Sequence, residues 1–180
     1  RPDHQDAFQI LQSAIQAGTA ADISHPLWSG SGTYDNAFER LSFYIQLAYT
    51  QQSWDMYTKL YLMERMLTDA VKDSSGAKWE AVKYQLGMGT YTREAANDIS
   101  GNDFIYIAAS KLAGRDYRNY LAAWGIETSQ TAQAQVAALG ITEQVPLLFY
   151  YVHNELPAVM PMLADTLPLD GVSGWADPTP

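Results

Sequence analysis

Asn102-Asp103-Phe104-Ile105-Tyr106-Ile107-Ala108-Ala109-Ser110, then Lys111-Leu112-Ala113, then Gly114-Arg115-Asp116-Tyr117-Arg118-Asn119-Tyr120-Leu121-Ala122-Ala123-Trp124-Gly125: this stretch decides how the chain is built. Asn102 is a capping residue at the head of a run of apolar and small side chains that reads as a helix to Leu112. Ala113-Gly114 breaks it, because glycine enters the left-handed conformation that closes a helix without steric cost. Asp116 then offers a carboxylate to the unpaired N–H groups of a new turn, so a short helix is expected to end at Trp124-Gly125. Trp124 reads as a bulky buried anchor and Gly125 as a stop. Gly114, Asp116, Tyr120, Trp124 and Gly125 form one motif whose expected roles are structural.

Working outward, Ser129 caps a further helix over Thr131 to Leu139, stopped by Gly140. Short helices punctuated by glycine predict a right-angled cluster rather than a long bundle. Toward the N-terminus, Trp79 to Leu86 looks helical, Gly87 and Gly89 interrupt it, and Thr92 to Ile99 restarts it. Before that come two longer helices. One spans about Tyr34 to Gln52, with a stripe of Phe38, Leu41, Ile45 and Ala48. The other is capped by Ser53 and runs to about Lys72, with a stripe of Met56, Leu60, Met63, Leu67 and Ala70. Their short joint predicts an antiparallel hairpin. A first helix is expected over Asp3 to Ala17, followed by a loop from Thr19 to Thr33 that carries Ser29-Gly30-Ser31-Gly32.

From Ile141 the character changes. Val145 to Val152 is a β-rich apolar run, and six of the eight prolines follow Ile141, which forbids a continuous helix. The expected fold is therefore mainly α: a compact helical cluster over 1–140, with a short extended, proline-rich C-terminal appendage over 141–180.

Composition excludes several functions. The 180 residues carry a net charge of −9 with only eleven Lys and Arg, scattered, so a phosphate-binding surface for nucleic acid is not expected. No run approaches the length of about 18 apolar residues that spans a bilayer. No leader is visible and the chain begins at Arg1, so it reads as an excised segment or a processed product. The absence of cysteine removes disulfides, thiolate zinc sites and cysteine nucleophiles.

Catalytic motifs are missing. His4, His25 and His153 do not stand at the i, i+4 spacing of HExxH, and His153-Asn154-Glu155 reads as a polar turn rather than a metal site. There is no GxSxG, P-loop or GxGxxG; Gly87-Met88-Gly89 lacks the residues that would cradle a phosphate. Glu39 and Asp55 are acidic and close to aromatics, which a solvated helix face explains equally well. Twelve Tyr and five Trp leave aromatic contacts as the open question. Trp54 and Tyr57, flanked by Tyr61, read as packing or as a sugar platform. Trp28, beside the Ser-Gly run, reads as packing onto the second helix or as a ligand or partner contact.

Three segments in order resemble a known family. Arg40-Leu41-Ser42-Phe43-Tyr44-Ile45-Gln46-Leu47 leads to Trp54-Asp55-Met56-Tyr57-Thr58-Lys59-Leu60-Tyr61; Asn102 to Ser110 follows; and Gly114 to Gly125 closes the set. This order is similar to the helical region behind the catalytic core of enhancin-like zinc metallopeptidases, over about Phe38 to Leu139. Leu121 stands where that family often has a second aromatic. The resemblance implies a bacterial enzyme, secreted or at the cell surface, that cleaves glycosylated proteins such as mucins. Its zinc-binding HExxH and further glutamate would lie upstream of Arg1, so no catalytic or metal residue carries onto this segment. The implied partners are that upstream catalytic domain and, through it, the glycoprotein substrate. The alternative is a non-enzymatic glycan- or protein-binding helical module.

Overall fold

The computed structural model describes residues 37–151 and 165–169. The expected helix over Asp3 to Ala17, the loop with Trp28, all three histidines and the tail beyond Leu169 lie outside the described residues. The elements are α1 (Ala37–Gln51), α2 (Asp55–Lys72), α3 (Ala77–Val82), α4 (Arg93–Asn97), α5 (Gly101–Ala113), α6 (Arg118–Ala123), α7 (Gln130–Ala138), β1 (Leu148–Tyr151) and β2 (Asp165–Pro168). The fold is mainly α, as the sequence predicts. No helix among the described residues is long and apolar enough to cross a membrane.

The described residues fall into two compact units that alternate along the sequence. The first holds those up to Trp54, Asn119–Ile126 and those from Pro146 onward; the second holds Asp55–Arg118 and Glu127–Val145. The joint between α1 and α2 is thus a boundary between units, and the two helices expected to pair as a hairpin belong to different units. Local geometry marks the boundary. Gln52 takes a left-handed φ of 52°, and the N–H groups of Gln52 and Ser53 reach back to the carbonyls of Tyr49 and Ala48. This is a Schellman closure with glutamine where glycine is usual.

In the first unit, Phe43, Leu47, Tyr120, Leu121, Trp124, Ile126 and Phe149 are buried together in one core. Trp124 sits at its centre, edge-on to Phe43 at 5.5 Å and tilted against Phe149 at 6.2 Å. Of the stripe expected on α1, Ala48 is buried and Ile45 half-buried, Phe43, Gln46, Leu47 and Thr50 are buried as well, and the side chains of Phe38 and Leu41 lie outside the described residues. β1 and β2 pair antiparallel, with Phe149 opposite Leu167 and Tyr150 opposite Thr166. The side chain of Gln46 lies along the other edge of β1: its Nε2 donates to the Tyr150 carbonyl and its Oε1 accepts the Tyr150 N–H, both at 2.7 Å. That pair of hydrogen bonds explains why a polar residue occupies the buried face of α1.

In the second unit the predicted stripe of α2 is buried throughout, and α2 packs on α3, α4 and α5. Each such aliphatic side chain contributes roughly 1.5–3 kcal/mol by leaving water. α5 is buried on nearly all sides, as expected of a helix that other elements surround. Its N-cap is Ser100, whose Oγ accepts from Asp103 N–H, and not Asn102 as the sequence suggested. Asn102 lies two residues further in, donating to the Glu127 carbonyl at 3.2 Å. Thr92 and Ser129 cap α4 and α7 through their hydroxyls.

Candidate functional site

The Gly114–Gly125 motif is built around one buried carboxylate. Gly114 closes α5 with φ 66°, and a Cβ there would meet nothing within 4 Å, so its role is conformational. The chain then turns so that Asp116 faces three donors: Tyr106 Oη at 2.8 Å, the Arg118 N–H at 2.8 Å and Gln144 Nε2 at 3.0 Å. Its backbone forms an isolated parallel bridge, donating to the Glu143 carbonyl and accepting from the Val145 N–H. Burial works against ionisation of Asp116, but the hydrogen bonds and the nearby Arg118 guanidinium outweigh it and hold the carboxyl below its usual range. The Tyr106 phenol is pushed up, first by burial and then by its bond to Asp116. Asn102, Tyr106 and Ser110 recur every four residues along α5. With Asp103 they form a polar stripe: Ser110 Oγ accepts the Tyr117 N–H, and Asp103 Oδ1 accepts the Ser129 N–H at 2.7 Å.

The same motif ends in the first unit. Tyr120 and Trp124 are buried. Gly125, at φ 68°, lets its own N–H and that of Ile126 close α6 on the carbonyls of Ala122 and Leu121. All five motif residues are therefore placed inside or at helix ends.

The aromatic residues separate. Trp54 is 44% exposed in the turn before α2, and it belongs to the first unit. Its ring meets Tyr49 edge-on at 6.1 Å, and Tyr49 stacks on Tyr150 at 5.9 Å and 16°. The Gln46 clamp fixes Tyr150, so Trp54 heads a pre-organised aromatic row. Tyr57 belongs to the second unit, in α2, half-buried, with its phenol pushed up to about 12 by burial. Asp55 is an exposed acid in the first turn of α2, favourable to the helix dipole.

Sequence reasoning missed a second feature. In the second unit, an open polar groove of about 690 Å³ runs between the Ser74–Ala77 turn, one face of α3 and the Gly89–Glu94 segment. Trp79, Glu80, Lys83 and Arg93 line it. Gly87-Met88-Gly89 has a backbone role there: Gly87, at φ 75°, closes the turn after α3, and Gly89 makes room for the ring of Tyr84. The signal was that glycine pair, but its partner ring could not be read from spacing.

The chain aligns with the immunomodulating metalloprotease of Pseudomonas aeruginosa, 37% identical over 168 residues and 86% of this chain. This chain is homologous to part of a metallopeptidase. Solved structures of the IMPa metallopeptidase from that organism match 97% of the chain at 34% identity, with a TM-score of 0.69. Two further IMPa structures, one in complex with T-antigen and one with an O-glycopeptide, match with TM-scores of 0.68. No protein-family model matches. The chain spans only 17% of the immunomodulating metalloprotease and 20% of the IMPa chains in those structures. The similarity to IMPa thus bears on one region of a metallopeptidase. Among the described residues no group of three or more His, Cys, Asp or Glu side chains could hold a metal.

Proposed function

We propose that this chain is a helical region of a secreted zinc metallopeptidase that cleaves O-glycosylated proteins such as mucins. It supports the cleft and helps orient substrate, while the zinc site belongs to another part of the protein. The observation that carries this reading is the match to IMPa along nearly the whole chain, together with the O-glycopeptide bound in one IMPa structure. Substrate orientation is assigned to the Trp54 row. An exposed indole held by Tyr49 and Tyr150 presents an apolar face at little entropic cost, which suits a sugar or a peptide backbone.

The test uses the full-length protein, an O-glycosylated peptide and its unglycosylated counterpart. Cleavage is expected only of the glycosylated peptide, and a metal chelator is expected to abolish it. Trp54→Ala should lower kcat/KM by about three- to tenfold, the size of one lost aromatic contact, with the melting temperature unchanged. Absence of chelator-sensitive cleavage would sink the peptidase reading and leave a glycan- or protein-binding module. Unchanged kcat/KM in Trp54→Ala would remove the aromatic row from substrate contact.

A further inference from the structure

The core-facing side of α2 buries Met56, Leu60, Met63 and Leu67, and the opposite side carries more than a solvated helix needs. At 3.6 residues per turn, Tyr61, Arg65 and Lys72 fall on one exposed line, with Leu62 beside it. Tyr61 is 62% exposed and Leu62 52%. Single apolar side chains on a surface are ordinary, but here two large ones stand side by side. The Arg65 guanidinium lies over the Tyr61 ring, 5.7 Å from its centroid, and steadies both. Neither Arg65 nor Lys72 forms an ion pair among the described residues. Asp69, on the same face, is already taken by Lys78 at 2.8 Å.

We propose that this outward face of α2 docks another part of the same polypeptide, beyond these 180 residues, through an apolar surface edged with carboxylates. The inference rests on the reading of the chain as one region of a longer metallopeptidase. Area decides between the kinds of occupant. A stable interface with a free partner or a second copy buries about 800 Å² on each side. Two neighbouring apolar side chains and one stacked guanidinium are a small core for such an interface. A free partner also loses its translational and rotational freedom on binding, whereas a tethered segment is already held at high effective concentration. A small patch therefore suffices for an occupant on the same chain. The relative shows how much chain is there to supply one, since the segment matched here spans only 17% of the immunomodulating metalloprotease. The side chains of the face set the chemistry of what covers them. Tyr61 and Leu62 call for apolar contact. Arg65, stacked flat on the ring, keeps the edge of its guanidinium for a carboxylate, which it meets with two parallel N–H bonds. Lys72 offers a second cation two turns further along the same line.

The test is hydroxyl-radical footprinting of the full-length protein, with Tyr84 as internal standard because its ring is 70% exposed, close to the 62% of Tyr61. A covered face excludes water from Tyr61, which is then labelled about fivefold or more slowly than Tyr84, with Leu62 protected alongside it. Arg65→Glu should bring the labelling of Tyr61 up to that of Tyr84, and Arg65→Lys should keep the protection. Arg65 is exposed on α2, so neither substitution disturbs the core. Carbodiimide coupling of mixed isotope-labelled and unlabelled protein then identifies the occupant. Lys72 is expected to join an Asp or Glu beyond these 180 residues, within one molecule. Labelling of Tyr61 as fast as Tyr84 in the wild type overturns the proposal, as does protection that survives Arg65→Glu. Links that join two copies, that stay within these residues or that do not form at all overturn it too. A protected Tyr61 in a protein without chelator-sensitive cleavage upholds the docking face and defeats only the peptidase reading, while a fully labelled Tyr61 in an active peptidase defeats only the docking face.

Discussion

Replacing Asp116 with Ala removes the acceptor shared by Tyr106, Arg118 and Gln144, and its cost follows from how much water can reach each donor. Tyr106 is 1% exposed, so its hydroxyl is left without a partner in a dry site, at about 1–3 kcal/mol. The Arg118 N–H and Gln144 Nε2 are partly accessible and recover some of their loss from water. Because the acceptor is ionised, its bonds are stronger than neutral ones. The total is about 3–5 kcal/mol, as for breaking other buried charged clusters. That is a large share of the 5–15 kcal/mol that holds a typical domain together. Asp116→Asn keeps an acceptor for Tyr106 and should cost about 1–2 kcal/mol, the difference between a charged and a neutral hydrogen bond.

The assay is urea unfolding of both variants, repeated as a function of pH. The folded carboxyl titrates below its unfolded value of about 3.9, so its contribution is complete above that pH and disappears as pH falls through the folded pKa. Asp116→Asn should therefore flatten the acid limb of the stability profile while leaving its neutral part parallel to wild type. A double-mutant cycle with Tyr106→Phe should give a coupling of about 1–3 kcal/mol. An Asp116→Ala loss below roughly 1 kcal/mol, or strict additivity with Tyr106→Phe, would refute the reasoning.

Two further substitutions test the first unit. Gln52→Gly should stabilise the protein by about 0.5–1 kcal/mol, because glycine holds the left-handed φ of 52° without strain and the lost side-chain bond to the Tyr49 carbonyl is exposed; a lower urea midpoint would contradict this. Gln46→Leu leaves the Tyr150 N–H and carbonyl without the partners they have on α1, so it should cost about 1–3 kcal/mol. Hydrogen exchange at the Tyr150 amide should accelerate, and unchanged protection there would show that the clamp is dispensable.

Much of the helical fold was legible because its signals are local. The α2 stripe, the glycine stops at Gly114, Gly125 and Gly140, and the Ser129 cap each depend on residues within one or two turns. What could not be read depends on distant partners. Gln46 looks like a surface residue until the strand 104 residues away is in place. Asn102 looks like a cap, but Ser100 takes that task and Asn102 turns inward to Glu127. The short joint between α1 and α2 speaks of geometry and not of burial: Phe43 and Leu47 are buried in one unit, and Met56 and Leu60 in the other.

The polar stripe of α5 explains how one helix can organise a chain that changes unit repeatedly. The chain passes between the units at Trp54, Arg118, Ile126 and Val145. Three of those points lie next to a bond made by α5 or by its partner Asp116. The Arg118 N–H is held by Asp116, Glu127 and Ser129 by Asn102 and Asp103, and the Val145 N–H by the Asp116 carbonyl. An apolar stripe would bury α5 equally well, but it would not fix where each crossing begins, because apolar contacts have no preferred direction. Directional bonds at Asn102, Asp103 and Tyr106 do fix it. The carboxylate in the Gly114–Gly125 motif is therefore better understood as the point that sets the path of the chain than as a group awaiting a substrate. On that argument, the residue to search for ligand contact is the exposed ring of Trp54, held by Tyr49 and Tyr150.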